Sequence, residues 1–162
     1  MINVLFLCTG NSARSILAEA ILNHHGEGRF TALSAGSNPA GTVNPFTLST
    51  LERRGLPVDG FRSKSWSEYA DGPEFDLIFT VCDSAAAESC PVWPGRPISA
   101  HWGIPDPAAV EGDDAQKQAA FDLAFDRMKR RIDRLIALPL DSLTPDALRF
   151  ELARIGKESE QA

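Results

Sequence analysis

The sequence is poor in the residues that cross-link chains or bind metal ions. Its 162 residues include only three cysteines and three histidines. So few thiols fit a reducing compartment, where cysteines serve reactivity or packing instead of a disulfide framework. The Cys-x2-Cys and His-x3-His spacings of zinc sites do not occur among these residues, which are Cys8, Cys82, Cys90, His24, His25 and His101. We therefore expect neither structural disulfides nor a zinc site.

Long apolar runs and an excess of basic residues are absent as well. No stretch approaches the roughly 18 consecutive apolar residues that span a membrane. The N-terminal residues lack the basic segment and apolar stretch of a signal peptide. Lysine and arginine number 16 against 22 acidic residues, which gives a net charge of −6. Nucleic-acid-binding proteins present a basic face to the phosphates. We therefore expect a cytoplasmic protein with neither a nucleic-acid nor a membrane partner.

What the sequence does contain is an alternation of apolar strands with helices. The strand patterns cover 2–7, 30–35, 75–81 and 97–102, and the helix patterns cover 13–25, 45–54, 83–89, 114–138 and 145–155. Ser67 is expected to cap a short helical turn at 66–69, and Gly156 to end the last helix. Strands that alternate with helices form parallel sheets through right-handed crossovers. The pattern predicts an α/β fold with a four-stranded parallel sheet and helices on both faces.

The most informative stretch runs from Val4 to Ser15. An apolar strand ends at Cys8, a turn of small polar residues follows, and a helix begins near Ala13. Such a loop aims backbone N–H groups and the helix dipole at one point, which suits an anion and lowers a cysteine pKa below its free value of about 8.5. The guanidinium fork of Arg14 matches a tetrahedral oxyanion. The expected oxyanion-binding residues are Thr9, Gly10, Asn11, Ser12, Ala13 and Arg14.

The segment CTGNSARS with the following Ile16-Leu17-Ala18-Glu19 resembles the phosphate loop of the low-molecular-weight tyrosine phosphatase superfamily, specifically its arsenate reductase branch. Its place directly after an N-terminal apolar strand makes the match specific. The resemblance implies a flavodoxin-like domain over residues 1–140, with residues 141–162 as a C-terminal helical extension and tail. It also implies that Cys8 is the nucleophile, that Ser15 hydrogen-bonds its thiolate and that Asn11 braces the loop.

A second segment, HWGIPDP, follows the last predicted strand. By itself, Asp106 before Pro107 is typical of an ordinary proline turn. The resemblance implies more, because the family's general acid sits in an Asp-Pro step at this place. Eukaryotic-type phosphatases usually carry a tyrosine after that step to wall in an aromatic substrate. Here Ala108 and Ala109 follow, which favours the reductase branch.

Cys82 and Cys90 distinguish the two branches. A phosphatase needs one cysteine, one arginine and one acid, whereas reduction of arsenate takes two electrons, which thiols supply by forming a disulfide. The resemblance implies a relay in which Cys8 attacks arsenate, Cys82 attacks Cys8, and Cys90 then attacks Cys82. The resemblance further implies that thioredoxin reduces the final disulfide, with glutaredoxin as the alternative reductant. Small residues at 84–87 predict that segment 83–89 loosens during the relay.

Some relatives bind potassium beside the loop through residues that match Asn11, Glu19 and Ser34. This chain departs from their pattern at 63–65, where they carry an acid, and the ammonium group of Lys64 can take the cation's role. That departure argues against potassium dependence, and no bound cofactor is expected.

The sequence leaves three functions open. The first is arsenate reduction through the three thiols. The second is a low-molecular-weight phosphatase, acting on phosphotyrosine or a small phosphoester through Cys8, Arg14 and Asp106. The third is a non-catalytic module that binds an oxyanion or senses redox state.

Overall fold

A computed structural model describes residues 1–81, 95 and 97–158. The predicted helix at 83–89 and the thiols of Cys82 and Cys90 lie outside the described residues. The described strands are β1 (Ile2–Cys8), β2 (Phe30–Gly36), β3 (Leu77–Thr80) and β4 (Ile98–His101). The described α-helices are α1 (Arg14–His25), α2 (Pro45–Arg53), α3 (Asp114–Ala137) and α4 (Pro145–Glu158), with 3₁₀ helices at Trp66–Tyr69 and Pro107–Ala109.

All four strands form one parallel sheet in the order β2-β1-β3-β4, which confirms the predicted α/β architecture. In the central strand β1, Val4 pairs with Ala32 on one side and with Leu77 on the other. The carboxyl ends of parallel strands meet at the same edge, where sites form in open α/β sheets. Cys8 therefore ends β1 beside Gly36 at that edge.

Strands β3 and β4 are shorter than the sequence patterns predict. Before β3, the carboxylate of Asp76 accepts the Asn3 N–H at 2.8 Å, so a side chain enters the bonding between these segments. Pro97 has no N–H to donate, and β4 begins at the next residue. Strands β1 and β2 are each one residue longer than predicted, because Cys8 and Gly36 pair with each other.

The core lies mainly on one face of the sheet. Alternate residues of β1, Val4 and Phe6, point into an apolar cluster to which all four α-helices contribute. Phe6, Phe79 and Trp102 form a continuous ring stack, with centroid separations of 5.4 and 3.9 Å. On the other face, Leu5, Leu7 and Ile78 belong to a smaller cluster that is covered by the 3₁₀ helix Trp66–Tyr69.

Local capping explains where the helices begin. Asn44 accepts the Phe46 N–H at 2.9 Å ahead of α2, and Asp113 forms a capping box with Gln116 ahead of α3. Helix α1 differs, because its N-cap residue, Ala13, offers no side-chain acceptor. Its first N–H groups therefore lack a side-chain cap at the edge of the sheet where β1 ends.

Two local predictions are wrong. The 3₁₀ helix at 66–69 is capped by Ser65, whose hydroxyl accepts the Ser67 N–H, and not by Ser67 itself. Helix α4 continues through Gly156 to Glu158. Gly156 serves close packing and not termination, since a Cβ there would lie 2.8 Å from the His101 carbonyl oxygen and 2.9 Å from the Trp102 ring.

Candidate active site

The thiol of Cys8 lies at the base of the loop formed by residues 8–14. Cys8 is 4% exposed, and its sulfur lies 2.9 Å from Ser15 Oγ and 3.1 Å from the backbone nitrogen of Asn11. Hydrogen bonds donated to a sulfur favour its charged form over its neutral form. The Asn11 N–H is such a donor, and the Ser15 hydroxyl, which already accepts a bond from the Asn11 amide, has its own hydrogen to donate to a thiolate.

The carbonyl groups of the loop are bonded to neighbouring segments. Those of Thr9, Gly10 and Ser12 accept hydrogen bonds from the N–H groups of Asn38, Ala40 and Asn44 at 2.9–3.0 Å. A trans peptide sets its N–H opposite to its C=O, and the described peptides are all trans. The N–H groups that follow these carbonyls therefore point the other way. One of them, that of Asn11, donates to the Cys8 sulfur, so this side of the loop faces the thiol.

Asn11 holds the loop together from within. Its φ of 47° lies in the left-handed region, which asparagine tolerates better than most residues. Its side-chain amide donates to Ser15 Oγ at 2.8 Å and to Ser34 Oγ at 3.0 Å, while its Oδ1 accepts the Lys64 N–H at 3.0 Å. Asn11 is fully buried, so these bonds fix the curvature of the loop.

Gly36 allows strand β2 to approach this loop closely. A Cβ at Gly36 would collide with the carbonyl oxygen of Thr9 and lie 3.1 Å from the nitrogen of Asn11. The next residue, Ser37, donates its N–H to the Cys8 carbonyl at 3.1 Å. Only glycine lets the end of β2 hold the loop at this distance.

Arg14 and Asp106 face each other at the open side of the loop. Arg14 Nη2 lies 3.6 Å from Asp106 Oδ2, and Arg14 Nη1 donates to the Ile104 carbonyl at 3.0 Å. The second carboxylate oxygen of Asp106 accepts the Ala108 N–H at 2.9 Å, which caps the 3₁₀ helix beginning at Pro107. The guanidinium of Arg14 is thus oriented by the segment that carries Asp106.

Behind the loop, the ammonium group of Lys64 is enclosed by oxygen atoms. Its Nζ lies 3.3 Å from Asn11 Oδ1, 3.4 Å from Ser34 Oγ, 3.0 Å from the Arg62 carbonyl and 3.9 Å from Glu19 Oε1. Burial lowers the pKa of Lys64, and the charge of Glu19 opposes that shift. Burial likewise raises the pKa of Glu19, against the hydrogen bond from Ser34 and the charge of Lys64. A cation thus occupies the position beside Asn11, Glu19 and Ser34.

The structure brings together most of the residues that the sequence singled out. Cys8, Ser15, Arg14 and Asp106 converge at one edge of the sheet, and residues 9–13 form the loop between them. The two other thiols, Cys82 and Cys90, lie outside the described residues, so their predicted roles stay predictions.

Several supporting residues were not predicted. Ser63 donates to the Gly10 carbonyl at 2.9 Å, Thr47 donates to the Ser12 carbonyl at 2.8 Å, and Ile104 binds Arg14 through its backbone. Serine and threonine in irregular segments carry no distinctive pattern, and a backbone carbonyl has no sequence signal at all. Arg131 is fully buried on α3, and no local pattern marks it, because its neighbours Lys129 and Arg130 are also basic.

Trp102 and Tyr69, two of the described aromatic residues, serve packing. Trp102 is fully buried, stacks on Phe79 and donates its ring N–H to the Leu152 carbonyl at 2.9 Å. Tyr69, the only tyrosine, packs edge-on against Phe75 at 6.1 Å. The residue after the Asp106–Pro107 step is the exposed Ala108. No aromatic residue directly follows the Asp106–Pro107 step in the sequence.

Among residues 1–81, 95 and 97–158, no group of three or more histidine, cysteine, aspartate or glutamate side chains is placed to hold a metal ion. Within the same part of the chain, no helix has the length and apolar character needed to span a membrane.

Comparison with known proteins identifies the family. The model of the low molecular weight phosphotyrosine protein phosphatase family matches residues 3–147, and the chain belongs to that family. An arsenate reductase of Bacillus licheniformis is 35% identical over 135 residues, which are 81% of this chain and 92% of that protein.

Solved structures agree with this assignment. An arsenate reductase in its phosphate-binding state superposes with a TM-score of 0.67 at 27% identity, over 85% of this chain and 98% of that one. A thioredoxin-dependent arsenate reductase of Corynebacterium glutamicum gives a TM-score of 0.60 at 26% identity, over 84% of this chain and 62% of that one. These TM-scores show that both proteins share the overall fold of this chain.

Proposed function

We propose that this protein is an arsenate reductase that uses Cys8 as nucleophile and is regenerated by thioredoxin. The observation that carries the proposal is the geometry around Cys8. Its sulfur accepts the Asn11 N–H and contacts Ser15 Oγ, while Arg14 and Asp106 stand as a pair at the open side of the loop. The names of the relatives support arsenate as the substrate, and the C. glutamicum structure supports thioredoxin as the reductant.

In the first step the Cys8 thiolate attacks the arsenic atom. Arg14 and the loop N–H groups bind the remaining oxygens, and Asp106 donates a proton to the oxygen that leaves as water. An arsenic–sulfur bond forms and an arsenic–oxygen bond breaks, with arsenic still in the +5 state. This step needs only residues that the structure describes.

The electrons move in the next two steps. Cys82 attacks the Cys8 sulfur, the electron pair of the sulfur–arsenic bond stays with arsenic, and arsenite leaves. Cys90 then attacks the Cys82 sulfur and releases the Cys8 thiolate, which leaves a Cys82–Cys90 disulfide for thioredoxin. The position of Val81 supports this order, because its N–H donates to the Leu7 carbonyl at 2.9 Å. The residues directly before Cys8 and Cys82 are therefore neighbours.

The second candidate is phosphatase activity at the same site. The family match favours it, and Cys8, Arg14 and Asp106 are sufficient to form and protonate a phosphocysteine intermediate. Hydrolysis of that intermediate by water uses neither of the other thiols. Reductase and phosphatase activity therefore differ in their dependence on Cys82 and Cys90.

One assay series tests the proposal. Arsenite formation from arsenate is measured with thioredoxin, its reductase and NADPH, for the unmodified chain, Cys82→Ser and Cys90→Ser. We expect steady turnover only in the unmodified chain, with hydrolysis of an aryl phosphate largely spared in both variants. Strong hydrolysis of the aryl phosphate without any formation of arsenite would indicate that the protein is a phosphatase instead. Arsenate binding without either product would indicate a non-catalytic oxyanion module.

A further inference from the structure

We infer that Arg131 and the C-terminal helix α4 position Arg14 and Asp106, so that this helix helps to set the active site. The inference rests on the proposed function in one respect: Cys8, Arg14 and Asp106 must form the oxyanion site. It assigns a role to a buried arginine and to a helix that the proposed chemistry does not otherwise use.

Arg131 joins two separate parts of the chain. It is fully buried on α3, and its Nη1 donates to the carbonyl oxygens of Trp102 and Gly103, the latter at 3.1 Å. Its Nη2 donates to the Gly156 carbonyl in α4 at 3.3 Å. A planar guanidinium with fixed donor directions thus sets the backbone at 102–103 relative to α4. Burying a charge is costly, and an apolar side chain would serve packing alone at least as well.

The backbone held by Arg131 leads directly to the site. Ile104 follows Gly103, and its carbonyl accepts the hydrogen bond from Arg14 Nη1 at 3.0 Å. Pro105 then fixes its own φ angle and connects Ile104 to Asp106. With so short and restricted a connection, a displacement at Gly103 moves both the carbonyl that orients Arg14 and the carboxylate that pairs with it.

Helix α4 holds the same segment at two more points. The Trp102 ring N–H donates to the Leu152 carbonyl at 2.9 Å. Gly156 lets the backbone of α4 lie so close to His101 that a Cβ on residue 156 would collide with the His101 carbonyl oxygen. Leu152 and Gly156 both lie beyond residue 147, where the family match ends. Part of the positioning therefore comes from residues of this chain outside the matched range.

The test measures oxyanion binding without turnover. In a chain carrying Cys82→Ser and Cys90→Ser, iodoacetamide alkylates Cys8, and inorganic phosphate protects it by occupying the loop. Arg131→Lys keeps the charge but loses the fork. The change displaces the Ile104 carbonyl and the Asp106 carboxylate, which are two partners of Arg14. We therefore expect phosphate protection to weaken by about 10- to 30-fold. The alkylation rate without phosphate stays at the parent value. Arg130→Lys, an exposed arginine on the same helix, is the matched control and leaves protection unchanged.

A coupling measurement separates positioning from a general loss of stability. In an Arg14→Lys background, Arg131→Lys is expected to weaken protection less than about twofold further, because both changes act on the same contact. The inference would be overturned if phosphate protected Cys8 equally well in Arg131→Lys and Arg130→Lys. It would also be overturned if the losses of protection caused by Arg131→Lys and Arg14→Lys were fully additive. If Arg131→Lys does not fold, Trp102→Phe removes the bond to Leu152 instead, and unchanged protection there overturns it equally. A parent chain that phosphate fails to protect would refute the proposed site itself.

Discussion

Replacing Lys64 with methionine tests the charge network behind the loop. In the folded chain the Lys64 and Glu19 side chains are only 6% and 14% exposed, with Nζ and Oε1 3.9 Å apart. Two charges at such a distance attract by about 4 kcal/mol at an effective dielectric constant of 20, and breaking a buried pair typically costs about 3–5 kcal/mol. Because Lys64→Met also relieves the cost of burying an ammonium group, we expect a loss of about 3 kcal/mol in the free energy of unfolding near pH 8.

The sign of the pH dependence follows from Glu19. Burial already raises its pKa, and the charge of Lys64 opposes that shift. Without Lys64 the pKa of Glu19 in the folded variant rises further. As the pH falls, Glu19 is therefore protonated in the folded variant before it is protonated in the unfolded chain. A group whose pKa is raised on folding contributes stability at low pH, and that stability is lost as the pH increases. The destabilisation by Lys64→Met should therefore shrink to about 1–2 kcal/mol near pH 5.

Urea unfolding of both proteins near pH 5 and pH 8 gives these differences. Lys129→Met is the matched control, because Lys129 forms an exposed pair with Asp133 and such pairs contribute about 1 kcal/mol or less. A loss of stability that is the same at both pH values would refute the reasoning. The reasoning would also be refuted if the Glu19→Gln, Lys64→Met double variant were as unstable near pH 8 as Lys64→Met alone.

Three further predictions concern the loop and the acid. Ser15→Ala removes the hydroxyl 2.9 Å from the Cys8 sulfur, and since hydrogen bonds to charged groups contribute about 1.5–3 kcal/mol, alkylation of Cys8 near neutral pH should slow by tenfold or more. Asp106→Asn keeps the cap on the Ala108 N–H but cannot donate the acid proton, so steady-state kinetics should show kcat lowered by about 10²–10⁴ with KM little changed. Gly36→Ala drives a Cβ into the Thr9 carbonyl, so phosphate titration should show weaker protection of Cys8 and urea unfolding a loss of about 1–3 kcal/mol.

Each of these has a control in the chain. Ser67→Ala removes a hydroxyl that is bonded to Ser65 in the 3₁₀ helix, and alkylation should proceed at the parent rate. Asp146→Asn removes an exposed carboxylate on α4 and should leave kcat unchanged. Gly60→Ala strains a left-handed turn with nothing near its Cβ, so it lowers stability without affecting phosphate protection. If Asp106→Asn kept the full kcat, Asp106 would not be the proton donor.

The loop of residues 8–15 could be recognised from the sequence because its information is local. A strand, a turn of small residues, a helix start and an arginine occupy consecutive positions, so the chain brings Cys8, Arg14 and Ser15 together without help from distant segments. The alternation of strands and helices predicted the parallel sheet for the same reason, since each element has its own periodicity. Among the elements that the structure describes, only the ends shifted, by one or two residues in most cases, where side chains such as Asp76 joined the backbone bonding.

Long-range contacts were beyond such reasoning. Gly156 has the sequence signature of a helix end, but the approach of His101 and Trp102 makes it an interior packing position. Arg131 is indistinguishable from its basic neighbours on a helix until the backbone at 102–103 and the end of α4 meet around it. Sequence by itself determined the strand, the loop and the helix start around Cys8, and the type of sheet, because these depend on neighbouring residues. Tertiary structure decided which distant groups orient Arg14 and Lys64, because the Ile104 carbonyl lies 90 positions from Arg14 and the Ser34 hydroxyl 30 positions from Lys64 along the chain.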